Sequence, residues 1–210
     1  MNKIVIGLML ALGISGSALA GDASAGKAKT MVCSACHGAD GNSAVPSFPK
    51  LAGQNERYLV KQLQDIKSGA RPVPTMAGQL DNMSDEDLAN IAAFYAGEMG
   101  SGGQADPAKI ALGGSVYRGG VSASGVAACA ACHGAAGGGN APAGFPALAG
   151  QHADYIADQL RRFRIGAENT LEQNPAGRTN DGDARMMRDT AHRMTDNEID
   201  AVASFIAGLH

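Results

Sequence analysis

The sequence contains no tryptophan, and aromatic residues make up only 4% of its 210 residues. Its basic residues form no long run, and the slight excess of acidic residues gives a formal net charge of −3. Proteins that bind nucleic acid usually carry a basic face and aromatic side chains on which bases stack. The composition therefore argues against nucleic acid as a partner.

Large side chains are also scarce, although 45% of the residues are apolar. Much of that fraction is alanine, and the chain has 29 glycines. Side chains this small fill a core poorly, and gaps in a core cost stability. We therefore expect a large apolar cofactor to complete the interior.

The first twenty residues differ in composition from the rest. Met1–Lys3 is a short positive start, and the apolar stretch that follows ends in Ala18-Leu19-Ala20. That ending has the Ala-x-Ala form at which signal peptidases cut. The stretch is short for a membrane-spanning helix, so a retained anchor is the less favoured alternative. We expect residues 1–20 to be a signal peptide that is removed after Ala20, which places the mature protein in the bacterial periplasm.

The chain also repeats itself. The segment Phe48–Gly69 matches Phe145–Gly166 at a constant offset of 97, and Met83–Gly97 matches Met194–Gly208 at an offset of 111. Identity, order and spacing all persist, which indicates an internal duplication. A Gly-rich stretch between the copies has the composition of a linker. We predict two domains, residues 21–100 and 109–210, with a linker at 101–108.

Each half has the periodicity of helices. Tyr58, Leu59, Leu63 and Ile66 recur at helical spacing, and Gly69 is placed to end that helix. The last helix of each half starts with a capping box, "SDED" in the first half and "TDNE" in the second. Neither half shows the alternation typical of a strand. The predicted fold class is all-α.

All four cysteines lie in two Cys-x-x-Cys-His motifs that are 96 residues apart. A zinc ribbon has its two Cys pairs about 15–20 residues apart, whereas 92 residues separate Cys36 from Cys129. A thioredoxin-like redox pair lies in a βαβ unit, whereas both halves of this chain show only the periodicity of helices.

Covalent haem attachment alone also explains the histidine, because positions i, i+3 and i+4 share one face of a helix. The two thiols would attach the haem, and the histidine would bind its iron. We predict two covalently bound c-type haems, one held by Cys33, Cys36 and His37 and the other by Cys129, Cys132 and His133.

The repeat also indicates the sixth ligand of each iron. Met76 lies eight residues before the cap residue Ser84, and Met187 lies eight residues before Thr195. A Met sulfur raises the reduction potential, and it occupies the position that a small molecule would need. We predict Met76 and Met187 as axial ligands, and we favour Met187 over its neighbour Met186.

The halves differ in the segment before this Met. The first half has "RPVPTM", with two prolines that stiffen the loop, whereas the second has a 14-residue insertion and no proline beside the Met pair. Met83 and Met194 are also paired by the repeat, but each directly precedes a helix cap. We expect those two residues to pack against the helix rather than to bind iron.

The remaining histidines are expected to be solvated rather than ligands, with His192 as a minor alternative ligand beside Met187. They are His152, His192 and His210. The segment Arg161–Gly166, "RRFRIG", is expected to be a solvated helix surface. A docking face for a redox partner is the alternative for that segment.

These motifs together resemble the dihaem cytochrome c4 family over nearly the whole mature length. The shared features are the paired "ACHG" motifs, "FPKLAGQ" with "FPALAGQ", "RTNDGD" ahead of a Met pair, and the ending "IAGLH". The resemblance implies two class I cytochrome c domains related by pseudo-twofold symmetry, with the haems near their interface. It also implies that the carbonyls of Pro49 and Pro146 accept hydrogen bonds from the ligand histidines. Arg178, Asn180 and Asp181 are then expected to meet haem propionates or the other domain.

With His and Met on both irons, no coordination site remains for chemistry, so we predict an electron carrier and not an enzyme. The resemblance implies a periplasmic carrier of a respiratory chain that delivers electrons to a terminal oxidase. The expected partners are redox proteins, such as a cytochrome oxidase and an upstream donor complex, and loose association with the membrane surface stays open. The alternative is a dihaem peroxidase-like oxidoreductase in which one haem lacks its Met ligand.

Overall fold

The computed structural model describes residues 21–210, so the predicted signal peptide lies outside the described residues. The first half contains α1 (Ala23–Lys29), α2 (Met31–His37), α3 (Glu56–Ser68) and α4 (Asp85–Gly97), with a 3₁₀ turn at Pro74–Met76. The second half contains α5 (Ile110–Gly119), α6 (Ala130–His133), α7 (Ala153–Glu168), α8 (Met186–His192) and α9 (Asp196–Ala207). Within residues 21–210 the only β pairing is two isolated bridges in the second half. The all-α prediction is confirmed.

The last helix of each half is the centre of its packing. Helices α1 and α3 pack against α4, and helices α5 and α7 pack against α9. The first core is built around Leu59, Ile91 and Tyr95, with Cys33 at its edge. The second core is larger and includes Tyr117, Phe163, Ile199 and Phe205, with Cys129 at its edge. The first cysteine of each motif therefore faces the core of its own half.

The predicted helix ends are present. Gly69 ends α3 in the left-handed conformation, with φ of 80°, which glycine adopts without strain. Ser84 and Thr195 each form a complete capping box with the residue three positions later. The two Met residues before these caps pack against the cores, Met194 being 4% exposed and Met83 partly buried. Their predicted packing role is confirmed.

Glycine lets the first and last helices of each half cross at close range. A Cβ added to Gly26 would lie 1.9 Å from the carbonyl oxygen of Asn90, and one added to Gly113 would lie 2.2 Å from the carbonyl oxygen of Ala201. Backbone this close tolerates no side chain without a shift of one helix. The helix crossing is therefore built on the same principle in both halves.

A lysine ties the connecting segment to both halves. Lys50 Nζ donates to the carbonyl oxygens of Ser101 and Gly102 at 3.0 and 3.1 Å, and to that of Gly150 at 2.9 Å. The Gly-rich segment is thus held against the interface. In the part of the chain that the structure describes, no helix is long and apolar enough to cross a membrane.

A symmetric polar cluster joins the two halves. It consists of three pairs of equivalent residues, which are Tyr58 and Tyr155, Gln62 and Gln159, and Arg71 and Arg178. Each guanidinium donates to both glutamines and to the tyrosine of the opposite half, over distances of 2.7 to 3.1 Å. Both arginines are buried, with exposed fractions of 8% and 6%. The pseudo-twofold relation that the resemblance implied is present in this cluster.

Candidate cofactor sites

The imidazole of His37 is buried at the end of α2 and held in one orientation. Its Nδ1 lies 2.9 Å from the carbonyl oxygen of Pro49, so Nδ1–H is the donor and Nε2 keeps its lone pair. Burial lowers the pKa of His37, and the hydrogen bond to Pro49 only partly opposes this. A neutral imidazole with a fixed ring and a free Nε2 is the form that binds a metal.

His133 repeats this arrangement in the second half. Its Nδ1 lies 3.0 Å from the carbonyl oxygen of Pro146. Burial likewise lowers the pKa of His133, against a smaller opposing effect of that hydrogen bond. In both halves a phenylalanine ring lies beside the imidazole, with centroids 6.3 Å apart for Phe48 and 6.2 Å apart for Phe145. The two proline contacts that the resemblance implied are present.

The two cysteines of each motif differ in exposure. The first of each pair, Cys33 or Cys129, is partly buried against the core, whereas Cys36 and Cys132 are exposed. Burial raises the pKa of Cys33, and it raises the pKa of Cys129 to about 11. In both motifs the two sulfurs and the imidazole stand at positions i, i+3 and i+4, which share one face of a helix.

Met76 lies in a tight turn that proline helps to form. Pro74 begins the 3₁₀ turn Pro74–Met76, where its fixed φ suits the first position. The amide of Met76 donates to the carbonyl of Val73 at 2.9 Å. The side chain is partly buried and lines a cleft with Ile66 and Leu80. The turn holds the thioether within its own half.

Met187 begins α8 and is positioned by a buried carboxylate. Asp181 accepts from the backbone amides of Met187 at 3.1 Å and Arg188 at 2.9 Å, and its other oxygen pairs with Arg188 Nε at 2.6 Å. Met187 packs against the second core, whereas Met186 is 45% exposed. This geometry supports the choice of Met187 over Met186. Asp181 thus positions Met187 in the second half, as the proline turn positions Met76 in the first.

The residues of the "RTND" segment divide between two roles. Arg178 reaches the other half through Tyr58 and Gln62, and Asn180 Nδ2 donates to Asp65 at 2.6 Å. Contact with the other domain, one of the two implied roles, is therefore present for these two residues. Asp181 instead serves its own half. Its anchoring role had no sequence signal beyond its distance from Met187.

Of the three remaining histidines, one departs from the expectation of a solvated side chain and two agree with it. His152 is not simply solvated, because its Nε2 donates to the carbonyl of Ser43 across the interface at 2.8 Å. His192 faces Glu168 at 3.4 Å and is exposed, which does not favour it as an alternative ligand. His210 is exposed, as expected.

The basic segment Arg161–Gly166 does not present free charge. Arg161 pairs with Asp200 at 2.6 Å, and Arg164 pairs with Asp196 at 2.6 Å. Arg162 pairs with Asp158 one helical turn earlier, also at 2.6 Å. Each arginine thus has a carboxylate of its own half close by. This agrees with the solvated surface that the sequence favoured rather than with a basic docking face.

The comparisons of this chain with known proteins agree on one family. The cytochrome c family model matches residues 23–96 and 120–210. The chain is 53% identical to cytochrome c4 of Pseudomonas aeruginosa over 100% of both chains. The crystal structure of reduced recombinant cytochrome c4 from Pseudomonas stutzeri has a TM-score of 0.85 at 50% identity, and covers 91% of this chain and 100% of that chain. The thiosulfate dehydrogenase electron acceptor of Stutzerimonas stutzeri is 37% identical over 85% of this chain and 79% of that protein.

Two helical halves, each with a Cys-x-x-Cys-His motif and a buried imidazole on a proline carbonyl, define a tandem class I cytochrome c with two covalently bound c-type haems. Such a protein transfers electrons and is not an enzyme, so the peroxidase-like alternative is set aside. The chain belongs to the dihaem cytochrome c4 family.

Proposed function

We propose that this protein is a periplasmic electron carrier of a respiratory chain, with one haem in each half. Residues 21–100 and 109–210 form the two domains, residues 101–108 link them, and residues 1–20 are removed after Ala20. Its electron acceptor is a terminal oxidase, and its donor is an upstream redox complex. The relative that is named an electron acceptor of thiosulfate dehydrogenase supports redox enzymes as partners in general.

The proposed attachment uses the motif residues of each half. Cys33 and Cys36 would hold one haem, and Cys129 and Cys132 would hold the other. Each cysteine would do so through one carbon–sulfur bond, formed by addition of its S–H across a vinyl group. The supporting observation is the paired neutral imidazoles, each with Nδ1–H held by a proline carbonyl and Nε2 free. Haem supplies an iron that changes by one electron between its ferric and ferrous states.

The axial ligands are His37 with Met76, and His133 with Met187. Each imidazole is fixed by its proline contact, and each Met is held by a local anchor, so little needs to rearrange when an electron arrives. The buried arginines at the interface support haems nearby. Arg71 and Arg178 are buried and donate to neutral glutamine and tyrosine groups, and buried cations need an anionic partner. We assign the haem propionates to that role.

The ligand assignment is tested by absorption spectra of the oxidised, reduced and carbon monoxide-treated reduced protein. We expect the weak far-red Met-to-iron band at full strength for two haems, and no change with carbon monoxide. Met187→Leu should remove half of the band and let half of the haem bind carbon monoxide, whereas the matched control Met186→Leu should change neither. Carbon monoxide binding by half of the haem in the unmodified protein would overturn the assignment of Met187.

Location and partners need separate tests. Mass spectrometry of the protein from a periplasmic fraction should give an N-terminus at Gly21 and a mass increased by two haems. The reduced protein should be oxidised by membranes that contain a terminal oxidase, and an inhibitor of that oxidase should abolish the reaction. Oxidation that is insensitive to such inhibitors would exclude the oxidase as the acceptor.

A further inference from the structure

Two glutamines cross the domain interface in a reciprocal way. Gln151 Oε1 accepts from the backbone amide of Lys50 at 2.9 Å, and its Nε2 donates to the Lys50 carbonyl at 2.8 Å. Gln54 makes the same pair of bonds with Ala147, at 2.8 and 2.9 Å. Gln54 and Gln151 are equivalent in the repeat, as are Lys50 and Ala147, because both pairs are 97 residues apart. Both glutamines are buried, with exposed fractions of 9% and 8%.

The peptide groups that receive these glutamines are the same ones that hold the ligand histidines. The peptide between Pro49 and Lys50 accepts from His37 through its carbonyl, and donates to Gln151 through its N–H. The peptide between Pro146 and Ala147 accepts from His133 and donates to Gln54. Each imidazole is thus connected, through one peptide group, to a glutamine of the opposite domain.

A peptide that donates through its N–H becomes a stronger acceptor at its carbonyl, because the two bonds polarise the same amide. A stronger acceptor draws the Nδ1 proton away from the imidazole and makes the ring a better electron donor to iron. Better donation stabilises the ferric state, which lowers the reduction potential. Burial of the glutamines keeps water from replacing them as partners of the amides.

We propose that Gln151 and Gln54 are positioning residues that each lower the reduction potential of the haem in the opposite domain. Gln151 acts on the haem of His37, and Gln54 acts on the haem of His133. The proposal rests on the histidine ligation given under the proposed function. Docking of the two domains therefore contributes to both potentials, although the glutamines contact neither imidazole.

The test is an NMR-monitored redox titration of the full dihaem protein, in which each haem is assigned through contacts with its own domain. Gln151→Leu should raise the potential of the His37 haem and leave the other nearly unchanged, and Gln54→Leu should do the reverse. At a fixed solution potential, the ratio of reduced to oxidised haem should rise by about threefold for the affected haem. This corresponds to a rise of ~30 mV in its reduction potential, at 59 mV per tenfold change in the ratio. In the reduced protein the Nδ1–H resonance of the histidine opposite the substitution should also move.

Matched controls come from the next residue of each domain. His152 donates to Ser43, and Asn55 donates to Phe145 at 2.6 Å. Both bonds cross the interface without reaching the peptide that holds a ligand histidine. His152→Leu and Asn55→Leu should therefore leave both potentials nearly unchanged. Should a Leu variant not fold, Gln151→Asn and Gln54→Asn shorten the amide while keeping it polar, and the same crossed shifts are expected.

The outcomes separate the proposal from simpler effects. Three results would overturn the proposal, because each would indicate general loosening of the interface. They are a shift in the reduction potential of the haem of the substituted domain, an equal shift in the potentials of both haems, and equal shifts in the control variants. No shift in either haem would overturn it as well. A failure of the ligand assignment is recognised separately, since it appears in the spectrum of the unmodified protein.

Discussion

The buried carboxylate of Asp181 should decide whether the second haem keeps the Met187 ligand that we propose for it. Its side chain is 6% exposed, and that of its partner Arg188 is 12% exposed. Breaking a buried ion pair by removing one partner costs about 3–5 kcal/mol, and Asp181→Ala also leaves the amides of Met187 and Arg188 without their acceptor. Local opening of α8 should therefore become at least about a hundredfold more frequent, at 1.4 kcal/mol per tenfold change.

The assay is the far-red band together with carbon monoxide binding. We expect Asp181→Ala to weaken the part of the band that belongs to the second haem, and to let up to half of the total haem bind carbon monoxide. Asp183→Ala is the matched control, because Asp183 is exposed in the same segment. A full-strength band and no carbon monoxide binding in Asp181→Ala would refute the role given to this carboxylate.

Three further predictions concern folding. Replacing both cysteines of either motif by alanine should leave that half largely unfolded, because its small side chains do not fill the core, and far-UV circular dichroism showing native helix content would contradict this. The free energy of unfolding should fall as the pH drops below ~4, since hydrogen bonds with Ser84 and Lys29 lower the pKa of Asp87 and the unfolded state therefore binds that proton first; urea titrations at neutral pH and at about pH 3 that agree would be evidence against it. Gly113→Ala should destabilise by about 1–3 kcal/mol or more, whereas Gly119→Ala on the same helix, which meets nothing within 4 Å, should not lower the melting temperature.

Local patterns predicted the fold well. The ends of α3, α4 and α9 followed from Gly69 and the two capping boxes, since these signals lie within a few residues of the structure that they determine. The repeat predicted the partly buried Met187 over its exposed neighbour, because a duplicated fold keeps equivalent side chains on equivalent faces. The axial ligation itself stays a prediction for the spectra to test.

Contacts between the halves had no comparable signal. The bonds of His152, of the arginine cluster and of the glutamine pair that cross the interface join residues between 84 and 120 positions apart. A single sequence contains the residues of such contacts but not their pairing. Likewise, the arginines of Arg161–Gly166 find their carboxylates on other turns and helices, so their neutralisation depends on the fold rather than on local composition.

The polar cluster between the halves also predicts how the molecule responds to ionic strength. Surface ion pairs such as Arg164 with Asp196 weaken as salt screens them, whereas buried hydrogen bonds are screened much less. The bonds of Arg71 and Arg178 are buried among neutral glutamine and tyrosine groups. The arrangement of the two domains should therefore persist across salt concentrations that change the encounter with a charged redox partner. The rate of electron exchange with such a partner can then vary with salt while the rate between the two haems stays constant.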